Sequence, residues 1–339
     1  MSEVQAQQTL IEAKAQEVKF WAVGGTGINQ LKAYRSDQPK NSLQLANETF
    51  IYVDTSFANM VGSAADNFFV VNDGKGLGKN QVEGDRIFEA EIPKLMLKHK
   101  PAKVNVVFYS LSGGTGSTGG RRLVRAIAET GAIVIAIVTG DYKSDRSTGN
   151  SLGSLINLER DLAEINAEYA VSYHKNDPKK SLADNNETAL RIARWISMFA
   201  SGKNAHIDEN DIRSFFKYSE NTRHKAQLAL LEVFVREEDL LAATADSPVI
   251  SYGALMKSHD SIVPDVDAAY DTVGYLPEEG RAFDNSFYYT LSGLRMKPIL
   301  AELKTTLAEF KQKVGITEQP ETLLDAPAVS GQKGSTVYL

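Results

Sequence analysis

The stretch Ser112-Gly113-Gly114-Thr115-Gly116-Ser117-Thr118-Gly119-Gly120 combines hydroxyls with almost no side-chain bulk, and it follows the apolar run Val106-Val107-Phe108-Tyr109-Ser110-Leu111. This order predicts a buried strand, a glycine-rich turn and the first turn of a helix through Arg121-Arg122-Leu123-Val124. Such a turn lines up backbone N–H groups at the positive end of a helix, where a phosphate is well held. Glycine lets the backbone come close to an anion, and Thr115, Ser117 and Thr118 add hydroxyl donors. The spacing is not that of a P-loop, because no Gly-Lys-Ser/Thr follows.

Two other loops have a similar character. Gly24-Gly25-Thr26-Gly27-Ile28-Asn29 follows the strand-like Lys19–Val23, and Gly74-Lys75-Gly76-Leu77-Gly78-Lys79-Asn80 supplies further N–H groups and a lysine. Between them, Thr49 to Asp54 reads as a strand ending in a carboxylate. Taken alone, the first loop with Asp54 suits either a dinucleotide-binding Rossmann unit, with Asp54 on a ribose, or plain strand-to-helix packing. In the first case the chain would be an NAD-dependent oxidoreductase. A dehydrogenase has no need of the second long anion-cradling turn at 112–120. A nucleoside triphosphate does, because its phosphates carry several charges to be satisfied.

A different chemistry is suggested by His206-Ile207-Asp208-Glu209-Asn210-Asp211. Asp208 and Asp211 stand at i, i+3, so on a helical turn both carboxylates face one side. They could polarise a water for attack on a phosphoryl group, or simply cap a solvated helix N-terminus. The pair alone does not choose. The histidines His99, His174, His206, His224 and His259 have no metal-ligand spacing.

These residues need a scaffold, and the rest of the chain indicates its type. The 339 residues allow one large or two medium domains, and 42% hydrophobic with 24% charged residues is an ordinary globular balance. A net charge of -6 argues against a nucleic-acid surface as the main business of the chain. With no cysteine there is no disulfide, thiolate catalysis or Cys-bound metal, which fits a reducing cytoplasm. Met1 to Lys19 is polar, unlike a signal peptide, and no run approaches the roughly 18 apolar residues of a membrane span. Ala132 to Val138 is continuously apolar, as expected of a central parallel strand covered on both faces. Strand and helix alternate through this half, which predicts a doubly wound α/β domain whose ligands sit beyond the carboxyl ends of the strands.

Asn186 to Ser201 has helical periodicity, and from Ser219 the pattern changes to strands at Ala226–Val235, Val249–Tyr252 and Phe287–Leu294, then a helix at Pro298–Val314. The expected organisation is an N-terminal extension at 1–18, a nucleotide domain at 19–182, a long central helix at 183–205, a smaller α+β C-terminal domain at 206–316, and a mobile tail at 317–339.

Taken in order, these segments resemble the tubulin/FtsZ GTPase superfamily, closest to the phage-encoded tubulins of the PhuZ type. Ser112 to Gly120 resembles its glycine-rich signature, Gly24 to Asn29 its first nucleotide loop, Asp54-Thr55 its second and Gly74 to Asn80 its third. Thr139 to Asn150 stands where the fifth loop would be, Asn186 at the start of the central helix, and Asp208 with Asp211 in the loop after it. The resemblance implies GTP and Mg²⁺ as cofactors. Gly24, Gly25, Thr26, Gly27, Asp54, Thr55, Gly76, Gly78, Lys79, Asn80, Ser112, Gly113, Gly114, Thr115, Gly116 and Ser117 would hold the phosphates and the metal. Asn186, with Asn29, would read guanine, while the family's second base-reading asparagine is matched here by Ser172. Asp208 and Asp211 would be catalytic in the site of the next subunit along a head-to-tail homopolymer. The implied work is to position phage DNA or a replication compartment in the host bacterial cytoplasm. The cargo, DNA or capsid, would be held directly or through an adaptor, without membrane insertion. A plasmid-segregating or division-type tubulin homologue is the alternative within the class. The tail has Glu318, Glu321 and Asp325 and ends Val337-Tyr338-Leu339, less acidic than is usual for phage tubulins of this type.

Overall fold

The computed structural model describes residues 16–36, 46–60, 67–78, 80–177, 179–201, 204, 206–276 and 285–313. Residues 1–15 of the expected N-terminal extension, Lys79 and the tail lie outside these residues, and the last two residues of that extension, Glu17 and Val18, already belong to the first strand.

The strands are β1 (Glu17–Val23), β2 (Asn47–Asp54), β3 (Phe68–Val70), β4 (Val104–Ser110), β5 (Ile133–Asp141), β6 (Tyr169–Asn176), β7 (Leu228–Phe234), β8 (Val249–Met256), β9 (Ala268–Tyr275) and β10 (Phe287–Ser292). They form one sheet in the order β3-β2-β1-β4-β5-β6-β7-β10-β8-β9. From β3 to β7 all pairings are parallel. β10 runs antiparallel to both β7 and β8, and β9 is parallel to β8. The C-terminal strands therefore continue the nucleotide-half sheet rather than forming a separate one.

The two faces of the sheet have separate cores, because alternate residues of each central strand point to opposite sides. Phe20, Phe108, Ile135 and Ile137 enter one core and Trp21, Tyr109, Ala136 and Val138 the other, all fully buried. The first face is covered by α1 (Gly24–Ser36) and by α5 (Leu182–Phe199), which brings Ala193, Ile196 and Phe199. The second is covered by α2 (Gln81–Lys98), α3 (Arg121–Glu129), α4 (Asp145–Ile165) and α8 (Met296–Lys313), with Phe88, Leu123, Leu158 and Leu303. Strands apolar on both sides leave no face for water, so a doubly wound α/β architecture follows. Short helices α6 (Glu209–Phe216) and α7 (Glu237–Thr244) complete the C-terminal part.

Several boundaries differ from the sequence reading. The loop expected over Thr139–Asn150 is only residues 142–144: β5 runs on to Asp141, and a Ser144 capping box starts α4 at Asp145. The central helix stops at Phe199, and Asp208 begins a separate helix instead of closing that one. β9 was not anticipated. Its half-buried residues alternate first with exposed Ala269 and Asp271 and then with buried Thr272 and Gly274, so no apolar run marks it. Among the described residues, no helix is long and apolar enough to cross a membrane.

Candidate functional site

β1, β2 and β4 are parallel neighbours, so the loops leaving their C-terminal ends meet on one edge. Gly24 turns out of β1 at φ 72°, and a Cβ there would lie 2.8 Å from the Gly116 nitrogen. A Cβ on Gly27 would sit 2.2 Å from the carbonyl oxygen of Phe108. These two glycines let α1 press against β4 and its loop. Thr55 and Thr115 join the second loop to the signature loop through a 2.5 Å hydroxyl contact. The Gly76 N–H donates to the Thr55 carbonyl at 2.5 Å, which brings in the third loop. By contrast, a Cβ on Gly76, Gly78 or Gly113 would meet nothing within 4 Å. There is open space on the side of these residues where a side chain would stand. Thr26 and Gly25 are half-buried beside them.

The signature loop is more tightly wound than a simple turn. Gly116–Gly120 forms a π-helical turn that runs into α3. The Ser117 hydroxyl donates to the Gly113 carbonyl, and the Thr118 hydroxyl to the Gly114 carbonyl at 2.7 Å. Both hydroxyls hold the loop's own shape and are not aimed outward. Gln81 Nε2 donates to Ser117 at 3.0 Å, and Asn150 Nδ2 to the Ser112 carbonyl at 3.1 Å. Neither of these supports was evident from the sequence, since each comes from a helix distant along the chain.

Asp54 is 2% exposed. Its carboxylate accepts from the Thr55 N–H at 2.7 Å and from Asn59 Nδ2 at 2.5 Å. Burial raises its pKa above the usual carboxylate range, offset in part by those same hydrogen bonds. Asp54 therefore shapes the loop around Thr55 and Asn59. Asn80 acts as the N-cap of α2, accepting from the Glu83 N–H at 3.2 Å.

Asn186 lies near the start of α5 and is buried. Its Oδ1 accepts from Gln30 Nε2 at 3.0 Å, and the same nitrogen donates to Thr139 Oγ1 at 3.1 Å. Gln30 was missed by sequence reading because an internal glutamine on an amphipathic helix gives no signal of burial. Asn29, one residue earlier, is exposed. Ser172 pairs with His174 Nε2 at 3.0 Å in the interior, and burial pushes the His174 pKa down to about 4.

Asp208 and Asp211 are at the opposite edge. Asp208 accepts from the N–H groups of Asn210 at 2.7 Å and Asp211 at 3.1 Å, while Asp211 accepts from the Asp208 N–H at 2.9 Å. This is a reciprocal capping box on α6. Tyr270 also donates to Asp211 at 3.2 Å. The next residue, Glu209, is bound by Lys103 at 2.6 Å, and Lys103 immediately precedes β4. The glycine-rich signature loop leaves the other end of that strand. The seven residues of β4 span six steps of about 3.3 Å, roughly 20 Å from end to end. Among the described residues no group of three or more His, Asp or Glu side chains could hold a metal.

No family model matches the chain. It is 27% identical over 271 residues to the phage tubulin-like protein of Pseudomonas phage phiKZ, covering 76% of this chain and 81% of the relative. The solved protofilament of TubZ from bacteriophage PhiKZ superimposes with a TM-score of 0.80 at 23% identity, covering 94% of this chain and 97% of that one. The GDP complex of the phage tubulin PhuZ superimposes with a TM-score of 0.80 at 20% identity, covering 91% and 96%. At these identities the two structures establish the fold.

Proposed function

We propose that this chain, a tubulin/FtsZ-superfamily protein with phage tubulin-like relatives, is a GTPase that assembles head to tail and hydrolyses GTP between subunits. One observation carries the reading. Glycine loops suited to phosphate and the acidic pair suited to activating water lie at opposite ends of β4, roughly 20 Å apart by strand length. Neither end is a complete hydrolytic centre. Two copies stacked head to tail would complete one, and because such a contact does not close on itself it repeats into a filament.

In this reading the backbone at Gly24–Thr26, Gly78 and Gly113–Thr115 cradles the phosphates, the Gly76 N–H being held by the Thr55 carbonyl, and Asn186 faces the base. Mg²⁺ would be carried mainly by phosphate oxygens and water, as is usual for this ion, and when bound it neutralises charge on those oxygens. Asp208 takes a proton from the attacking water as its oxygen bonds to the γ-phosphorus and the bond to the bridging oxygen breaks. Asp211, with its carboxylate engaged by Tyr270 and the Asp208 N–H, keeps Asp208 in place. The phage tubulin-like relative supports a phage cytoskeletal role; its place in the host cytoplasm and its cargo, phage DNA or capsid, are part of the same proposal.

The test is light scattering and phosphate release over a dilution series with GTP and with GDP. Scattering should appear only with GTP above a threshold concentration, and turnover per molecule should rise with it. Flat activity per molecule without polymers would refute the shared site.

A further inference from the structure

The base contact rests on one asparagine, since Ser172 is turned inward to His174. An isolated carboxamide reads a base poorly, because it can rotate and offer either its oxygen or its amino group. We propose that Gln30 removes this ambiguity and is the residue that sets purine specificity. The inference rests on the GTP reading above and deepens it.

Gln30 is fully buried on α1, between Thr139 at the end of β5 and Asn186 on α5. Its amide nitrogen spends both hydrogens, one on Thr139 Oγ1 at 3.1 Å and one on Asn186 Oδ1 at 3.0 Å. Swapping the Gln30 oxygen and nitrogen would leave two buried donors without acceptors, whereas the observed arrangement leaves one buried acceptor. Unsatisfied buried groups are costly, so the arrangement with fewer of them is held. With its oxygen taken by Gln30, Asn186 has its amino group left for an incoming base. A donor there matches O6 of guanine or hypoxanthine and opposes the amino group of adenine. Gln30 Oε1 is buried and has no partner among the described residues. It is an acceptor suited to the N1–H that guanine and hypoxanthine carry and adenine lacks. Gln30 thus acts on the base both through Asn186 and with its own oxygen.

The experiment is displacement of a fluorescent GTP analogue by GTP, ITP, ATP and inorganic triphosphate, for the parent chain and for Gln30→Met, Asn186→Leu and the double variant. In the parent, ITP should compete within a few-fold of GTP and ATP about 100-fold more weakly. Gln30→Met should cut the GTP/ATP ratio about tenfold, the worth of a buried hydrogen bond, with triphosphate affinity unchanged. The double variant should lose more than Asn186→Leu alone but less than the sum of the two single losses, because Gln30 acts partly through Asn186 and partly with its own oxygen. Thr139→Val, which removes only the second anchor, should shrink the ratio by a smaller factor, and it serves if Gln30→Met does not fold. A Gln30→Met or Thr139→Val variant that keeps the parental ratio overturns the role of Gln30. ITP binding as weakly as ATP overturns the proposed orientation of Asn186. A parent that binds no GTP, or releases it to NAD, refutes the GTPase reading itself, which is a separate outcome.

Discussion

Replacing Asp208 by asparagine separates its observed capping role from the general-base role proposed for it. The carboxylate oxygen that caps α6 accepts from the Asn210 and Asp211 N–H groups at 2.7 and 3.1 Å, and an asparagine oxygen accepts equally well. Asn and Asp rank together as N-caps, so the cap should survive within a few tenths of a kcal/mol, whereas Asp208→Ala should cost about 1 kcal/mol. Asparagine cannot take a proton at neutral pH, so general-base assistance is lost and turnover should fall about 10²- to 10⁴-fold. GTP affinity should not change, because Asp208 lies roughly 20 Å, by strand length, from its own chain's phosphate loop. The assay combines phosphate release, nucleotide titration and scattering decay after GTP is limiting. Polymers of Asp208→Asn should persist where parent polymers vanish, and the urea midpoint should match the parent. Parental turnover within the variant polymer would refute the general-base role. A loss of GTP affinity parallel to the loss of turnover would refute the separation of the two half-sites.

Two glycines should answer substitution differently. Gly27→Ala places a Cβ 2.2 Å from the Phe108 carbonyl oxygen, a backbone atom that cannot swing aside, and should destabilise the fold by about 1–3 kcal/mol in a urea titration. A Cβ at Gly113 meets nothing within 4 Å, so in Gly113→Ala stability should hold within about 0.5 kcal/mol while GTP affinity falls, and unchanged affinity would remove Gly113 from the cradle. His174 supplies a pH test. Unfolded it takes a proton near 6.5, folded only near 4, so in that window the unfolded chain binds more protons. Its contribution is intact above pH 6.5 and is lost as pH falls toward 4, by up to about 3 kcal/mol. His174→Gln should flatten that part of the stability profile, and an identical acid slope in both proteins would show that the titrating group lies elsewhere.

Much of this architecture could be read from residue order. The runs Val104–Leu111 and Ala132–Val138 are nearly or wholly apolar, and a strand buried on both faces is what has a use for that. Gly24 and Gly27 after β1 and Gly116 after β4 mark places where backbones come so close that a Cβ has little or no room. Local chemistry of this kind depends on near neighbours in the chain. The acidic pair was visible as well, but not its distance from the phosphate loop, since both readings of Asp208 and Asp211 use the same i, i+3 spacing.

The rest depended on contacts between residues far apart in the chain. Gln30 meets Thr139 and Asn186 across separations of 109 and 156 residues, and Asp54 turned out to support Thr55 and Asn59 with its charge kept from solvent. Hydroxyls that seemed free to bind phosphate, at Ser117 and Thr118, are bonded to carbonyls of their own loop. A hydrogen bond is decided by where both partners end up, and composition records only one of them. The same holds for the two ends of β4: their residues were legible, but that one end carries the glycine loops and the other the carboxylates is a property of the folded sheet, because only parallel packing assigns all loops of one kind to one edge.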